Sequence, residues 1–87
     1  MSEYVVLVEA DLRSGNTNYR IRRSEALPQA EAQMLFDRVI RGEVPKLLKA
    51  KNETVLVRTA DNQVCRFWPG LIGIECMDRV TLAPVIG

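Results

Sequence analysis

The sequence predicts a single α+β domain in which one main helix packs on one face of a small sheet. Apolar residues recur with helical spacing only between residues 28 and 41, whereas the rest of the chain alternates or forms short β-branched runs. The strands are therefore segregated from the helix, which is typical of α+β domains. The chain has 87 residues and is 47% hydrophobic, so we expect one domain over residues 1–87. The expected order is β-β-α-β-β-β, a sheet of five to six antiparallel or mixed strands, with an optional further C-terminal strand.

The first two strands are predicted to form an antiparallel hairpin. Residues 4–12 contain the β-branched run from Val5 to Val8, which is typical of a buried strand. Residues 13–18 contain Ser, Gly and Asn, which favour a turn. Residues 19–23 alternate, so that Tyr19 and Ile21 lie on one face and the arginines between them on the other. The short connection favours antiparallel pairing.

The helix is predicted over residues 28–41. Pro28 suits the first helical position, where a missing N–H costs nothing, and Gly42 is a natural stop. One apolar stripe follows helical spacing: Ala32, Leu35, Phe36, Val39 and Ile40. After the helix, residues 43–51 form a basic segment. We expect the apolar residues of this segment to pack against the core and to form a further helical turn or two.

The second half of the chain is predicted to be a meander of strands. We expect strands over residues 53–59, 64–68, 71–77 and 80–85. Asp61 and Asn62 suit the left-handed positions of a hairpin turn, and Asp78 with Arg79 is expected to form another turn. The last strand is placed at a sheet edge because Pro84 cannot donate to a ladder. The long connection through the helix leaves the order of the strands open.

Several chemistries are excluded or disfavoured by residue content. The chain has no histidine, so neither a Ser-His-Asp nor a Cys-His arrangement exists. The spacing of Cys65 and Cys76 matches no common zinc site, and no glycine-rich phosphate loop is present. We therefore expect no metal and no cofactor. The two cysteines are interpreted as half-buried thiols on neighbouring strands.

The expected location is the cytoplasm, without membrane attachment. No segment approaches the run of about 20 apolar residues that spans a bilayer. The first residues lack the basic and apolar regions of a secretory signal.

Two pairs of carboxylates are close enough in sequence for acid–base work. They are Glu9 with Asp11 and Glu75 with Asp78. Both pairs lie at predicted strand ends, where solvated charge is ordinary. A small cofactor-free enzyme is therefore kept as a third hypothesis only.

The basic residues are concentrated between residues 13 and 51. This stretch carries nine basic and four acidic residues, whereas the whole chain has a net charge of +1. We predict that arginines and one tryptophan share the sheet face opposite the helix, and that two lysines of the basic segment lie near them. This candidate partner or nucleic-acid surface consists of Arg20, Arg22, Arg58, Arg66, Trp68, Lys46 and Lys49. Such a face suits single-stranded nucleic acid, although arginines on a solvated strand are also ordinary.

The leading hypothesis is a small non-enzymatic interaction protein that forms a homo-oligomer and binds an unidentified protein partner. The C-terminal stretch is strongly apolar, so a final strand there either covers the core or offers an open edge for pairing with another chain. Trp68 and Arg66 are residue types that dominate interface energetics. The alternative is a nucleic-acid-binding module that uses the basic and aromatic surface.

Overall fold

A computed structural model describes residues 2–12, 20–70 and 75–87, and shows one helix packed on a six-stranded antiparallel sheet. The elements are β1 (Glu3–Leu12), β2 (Arg20–Arg23), β3 (Leu27–Pro28), α1 (Gln29–Ile40), β4 (Val55–Ala60), β5 (Gln63–Pro69) and β6 (Glu75–Pro84). The predicted α+β class is confirmed. The predicted turn over 13–18, Tyr19 and the predicted strand residues 71–74 lie outside the described residues.

The strand order is β2-β1-β6-β5-β4, and the short strand β3 also pairs with β1. β1 and β6 therefore join the two halves of the chain at the centre of the sheet, in a register that places Glu9 opposite Arg79. Ser24 keeps the chain alongside β1 between β2 and β3. Its main-chain N–H donates to the Val6 carbonyl at 2.9 Å, and its hydroxyl accepts the Val6 N–H at 2.9 Å.

The prediction of a turn at Asp78 and Arg79 is wrong, because β6 runs unbroken through both residues. Their side chains point to opposite sides of the sheet and each meets an oppositely charged partner, so the charges do not interrupt the strand. The prediction of a C-terminal edge strand is also wrong, since β6 lies between β1 and β5. Pro84 is tolerated there because it is the last residue of the strand.

The hairpin between β4 and β5 turns at the predicted place, but the backbone conformation of its loop differs from the prediction. Ala60 pairs with Gln63, which leaves Asp61 and Asn62 as the loop. Neither of these two residues has a positive φ, contrary to prediction. The register instead shifts between Arg58 and Ala60, so a bulge adjusts the strands to the turn.

The helix lies within the predicted range but begins one residue later. Pro28 is the N-cap, with φ −55° and ψ 151°, rather than the first helical residue. At the other end Gly42 has a φ of +77°, and its N–H donates to the Val39 carbonyl at 3.0 Å. The N–H of Glu43 donates to the Arg38 carbonyl at 3.0 Å, which completes a Schellman motif.

The core lies between α1 and one side of the sheet, called the helix side. Its buried residues are Val6, Val8, Ala32, Phe36, Val39, Leu48, Val64, Val80 and Leu82. After the helix, residues 43–51 cross the same side of the sheet and are called the crossing segment. It makes a single turn, in which the Leu47 and Leu48 N–H groups both donate to the Val44 carbonyl at 3.0 Å. Leu48 anchors this segment in the core.

The opposite side of the sheet, called the open side, faces away from the helix and carries many apolar side chains. Strand alternation and pairing place Ile21, Val55, Val57, Cys65, Phe67 and Met77 there. Cys65 and Cys76 lie on neighbouring strands as predicted, but both are buried rather than half-buried. Cys65 belongs to the open side and Cys76 to the helix side, so they do not face each other.

Candidate functional site

The predicted basic and aromatic residues do share one side of the sheet, but it is the helix side. Arg20 pairs with Ala10 and Arg22 with Val8, and Val8 is a core residue beneath the helix. Since directly paired residues point the same way, both arginines lie on the helix side. Arg66, Trp68 and Arg58 lie on that side too, through their pairing with Asp78, Cys76 and Val64.

The predicted side is wrong for the β4–β5 hairpin because Val55 and Val57 point away from the helix. They pair with Phe67 and Cys65, which belong to the open side. In the β4–β5 hairpin each strand alternates, so this one assignment also determines where Arg58 and Arg66 point.

The carboxylate of Asp78 is the centre of a buried polar network on the helix side. Its Oδ2 accepts hydrogen bonds from Arg66 Nε at 2.9 Å and from Trp68 Nε1 at 3.0 Å, and lies 2.7 Å from Arg66 Nη2 in an ion pair. Its Oδ1 accepts the main-chain N–H of Asp11 at 2.8 Å. Arg66 Nη1 donates in turn to the Lys49 carbonyl at 2.8 Å. The network therefore ties β1, β5, β6 and the crossing segment together.

Arg66 is consequently a structural residue rather than part of an exposed ligand surface. It is only 5% exposed, and its partner Asp78 only 1%. A buried charge is tolerated when it is paired and hydrogen-bonded, and this guanidinium meets both conditions. Arg66 is therefore not a candidate contact residue. Its role is to hold in place the elements that carry those residues.

Sequence reasoning missed the roles of Asp11 and Asp78. Asp11 has a φ of +60° at a register shift in β1, and this conformation aims its main-chain N–H at Asp78. Asp is among the few residues besides Gly that adopt this conformation readily. A signal for Asp78 was present in the sequence, because it occupies an inward position in the alternation that includes Cys76, Val80 and Leu82.

A cleft of about 260 Å³ opens above this network at the margin of the core. β2 contributes Arg20 and Arg22 to its lining, and the crossing segment contributes Lys49 and Lys51. Trp68 and Asp11 also line it. Arg66 and Asp78 neutralise each other at its base. Among the described residues that line the cleft, four cations then stand against one carboxylate, a net charge of +3.

Two of the predicted residues lie outside this cleft lining. Arg58 is exposed near the β4–β5 turn, where its Nη1 donates to the Asp61 carbonyl at 2.8 Å. Lys46 contributes its main-chain carbonyl, which accepts from Arg22 Nη1 at 3.0 Å. Lys51 also lines the cleft, and its ammonium lies 4.0 Å from the centre of the Trp68 ring.

The carboxylate pairs considered for catalysis are not brought together. Glu9 is on the open side, where Arg79 Nε and Nη2 each donate to one of its oxygens at 2.8 Å. These hydrogen bonds lower the pKa of Glu9 and raise that of Arg79. Glu75 also lies on the open side, away from Asp78. The cleft instead brings Asp11 near Asp78, whose two oxygens already accept three hydrogen bonds.

Neither a metal centre nor a similarity to known proteins directs the assignment of function. Among residues 2–12, 20–70 and 75–87, no group of three or more Cys, Asp or Glu residues is arranged to hold a metal ion. No helix in those ranges is long and apolar enough to cross a membrane. The chain matches no protein-family model, no curated protein and no solved structure. Function is therefore inferred from the geometry of the chain itself.

Proposed function

We propose that this protein acts by association rather than catalysis, and that two copies pair through β4. The observation that carries the proposal is the exposure of three consecutive apolar residues on this strand. Val55 is 61% exposed, Leu56 50% and Val57 41%. β4 is the last strand in the sheet order, so its outer edge faces no other strand among the described residues. An apolar, unpaired edge is a template for pairing with another chain.

The sequence of this edge supports a second copy as the occupant. Val55, Leu56 and Val57 read the same in both directions, which suits antiparallel pairing about a two-fold axis at Leu56. Leu56 would then face its own counterpart, and Val55 would face Val57 of the second copy.

The charge on the strand does not oppose this register. Arg58, the one charged residue of β4, would face Thr54 of the second copy, so no like charges are opposed. Natural edges are often protected by lysine or proline, and β4 contains neither. Pairing here replaces the C-terminal edge expected from the sequence. The further protein partner and the cytoplasmic location stay predictions.

Catalysis is left out of the proposal because the residues best placed for it are already bound. Asp78 accepts three hydrogen bonds from protein groups and pairs with Arg66, and Glu9 is held by two hydrogen bonds from Arg79. Hydrogen bonding by Arg79 lowers the pKa of Glu9, so this carboxylate serves poorly as a proton donor.

The experiment that tests pairing is sedimentation velocity over a concentration series, with Leu56→Lys as the disruptive variant. Wild type should be dimeric, and the variant monomeric, because two ammonium groups would face each other across the two-fold axis. Met34→Lys is the matched control, since Met34 is also an exposed apolar residue, 66% exposed on α1. It should leave the dimer intact. A monomeric wild type at all concentrations, or a dimeric Leu56→Lys variant, would refute the proposal.

A further inference from the structure

We propose that the cleft between β2 and the crossing segment binds single-stranded nucleic acid. The arginines and lysines contact phosphate groups of the strand, and Trp68 contacts an adjacent base. This inference does not depend on pairing through β4, because the cleft is lined by other elements.

The charge of the cleft calls for an anionic ligand. Arg20 and Arg22 line it from β2, and Lys49 and Lys51 line it from the crossing segment. Asp11 is the only described acid there whose charge is not already balanced by Arg66. Like charges gathered around one concavity repel each other and raise the local potential, and a phosphate relieves both effects.

Two of these cations are anchored by hydrogen bonds, and the group keeps donors available. The backbone of Lys49 is held by the hydrogen bond from the buried Arg66 to its carbonyl. Arg22 donates to the Lys46 carbonyl only through Nη1. The other N–H groups of its guanidinium therefore remain available to a ligand. Arg20 and Lys49 are exposed at the cleft. A preorganised group of this kind loses little conformational freedom on binding.

Trp68 makes the cleft suitable for nucleic acid and not only for phosphate. Its indole N–H donates to Asp78, which holds the ring in one orientation beside the cations. Lys51 lies over that ring and is exposed. A base can therefore replace the ammonium on the ring while Lys51 moves to the neighbouring phosphate. Aromatic stacking beside cations is the usual way in which proteins bind single strands without reading sequence.

The size of the cleft favours one segment of a passing strand over an enclosed cofactor. Its volume is about 260 Å³. Pockets that enclose small molecules typically have volumes of about 300–1,000 Å³. A site that holds one unit of a longer chain does not need to enclose its ligand.

The test is binding of fluorescently labelled oligo(dT) and oligo(U), measured by anisotropy across a salt series. Four phosphate contacts predict that log K falls with log salt with a slope of about −3, at roughly −0.7 per contact for single strands. Trp68 is the only tryptophan of the chain. Stacking should therefore also quench the intrinsic tryptophan emission of the unlabelled complex.

The decisive variant combines Arg20→Ala with Lys49→Ala, because both side chains are exposed and neither holds the fold. We expect binding to weaken roughly tenfold and the salt slope to lose about 1.4. Arg23→Ala is the matched control for Arg20→Ala alone, since each removes one positive charge from β2 and Arg23 lies on the open side. It should bind like wild type.

Three results would overturn the proposal. The first is no binding at low salt. The second is an equal loss of affinity in Arg20→Ala and Arg23→Ala, which would indicate net charge alone. The third is competition by inorganic tripolyphosphate as effective as that by the oligonucleotide, without any change in Trp68 emission when the oligonucleotide binds. That last result would indicate a simple anion site.

Discussion

Arg66 and Asp78 face each other on β5 and β6 and form a buried ion pair on the helix side of the sheet. The Arg66 Nη2 lies 2.7 Å from Asp78 Oδ2, and the two side chains are 6% and 2% exposed. The pair stands where apolar residues would continue the core. It supports the floor of the basic cleft and holds the crossing segment through the Lys49 carbonyl.

Removing the charge of Asp78 should destabilise the fold strongly. In Asp78→Asn the Arg66 guanidinium stays buried without a counter-charge, and we expect a loss of about 3–5 kcal/mol in the free energy of unfolding. Urea denaturation followed by circular dichroism measures this loss. The double variant Arg66→Met with Asp78→Leu should recover part of it, because no charge is then left buried. A loss in Asp78→Asn no larger than about 1 kcal/mol, the usual limit for exposed pairs, would show that the pair is solvated in solution.

The Glu9–Arg79 pair should make stability depend on pH. Hydrogen bonding by Arg79 lowers the pKa of Glu9 from 4.5. A lowered pKa in the folded state stabilises the protein above the unfolded pKa, and this contribution is lost as pH falls through the folded pKa. Wild type should therefore be more stable than Glu9→Gln by roughly 1 kcal/mol at neutral pH. The difference should shrink in buffers progressively below pH 4.5.

The matched control for this pH dependence is Glu43→Gln. Glu43 also pairs with an arginine, since Arg41 Nε lies 2.8 Å from its Oε2, but both side chains are about half exposed. Solvent screens such a pair, so its removal should change stability less. An equal effect of the two substitutions, or a Glu9→Gln difference that does not vary with pH, would contradict the interpretation.

Gly42→Ala should weaken the end of the helix. Gly42 has a φ of +77°, and an added Cβ would lie 3.2 Å from the Ala50 Cβ. The left-handed conformation costs an L-residue roughly 1–2 kcal/mol, so we expect a loss of about that size in thermal or urea unfolding. Gly87→Ala is the control, because nothing lies within 4 Å of its added Cβ. No loss in Gly42→Ala would mean that the Schellman motif is not maintained in solution.

The two thiols should be protected in the folded protein and should not join to each other. Cys65 is 6% exposed and Cys76 0%, and they point to opposite sides of the sheet. A disulfide needs Cβ atoms about 3.5–4.5 Å apart that face each other. We expect slow labelling by a thiol reagent in native buffer and rapid labelling of both in denaturant. Formation of an intramolecular disulfide under mild oxidation of the native protein would contradict this register.

Local patterns predicted the helix and most strands well. The α1 stripe that includes Phe36 and Val39, the stop at Gly42 and the loop at Asp61 and Asn62 all depend on residues close together in sequence. The prediction of a turn at Asp78 and Arg79 was wrong because the conformation there depends on residues far away in sequence. Two adjacent charges resemble a turn until their partners are known, and those partners, Arg66 and Glu9, are 12 and 70 residues away.

The candidate site was predicted in part. The alternation of β2 and β5 correctly put Arg20 with Arg22 and Arg66 with Trp68, and pairing then brought these residues to one side. Burial separated Arg66 from the exposed members, and the path of the crossing segment added Lys51. Neither result can be read from the spacing of residues within one strand.

By itself the sequence determined the α+β class, the place of the helix and the concentration of basic residues before residue 52. Each of these follows from composition or from periodicity over a few neighbouring residues. Only the tertiary structure decided that β6 is central, that β4 is an exposed edge and that the basic residues lie on the helix side. These features depend on long-range pairing of β1 with β6, and a shift of one residue in such a register reverses the side to which every side chain points.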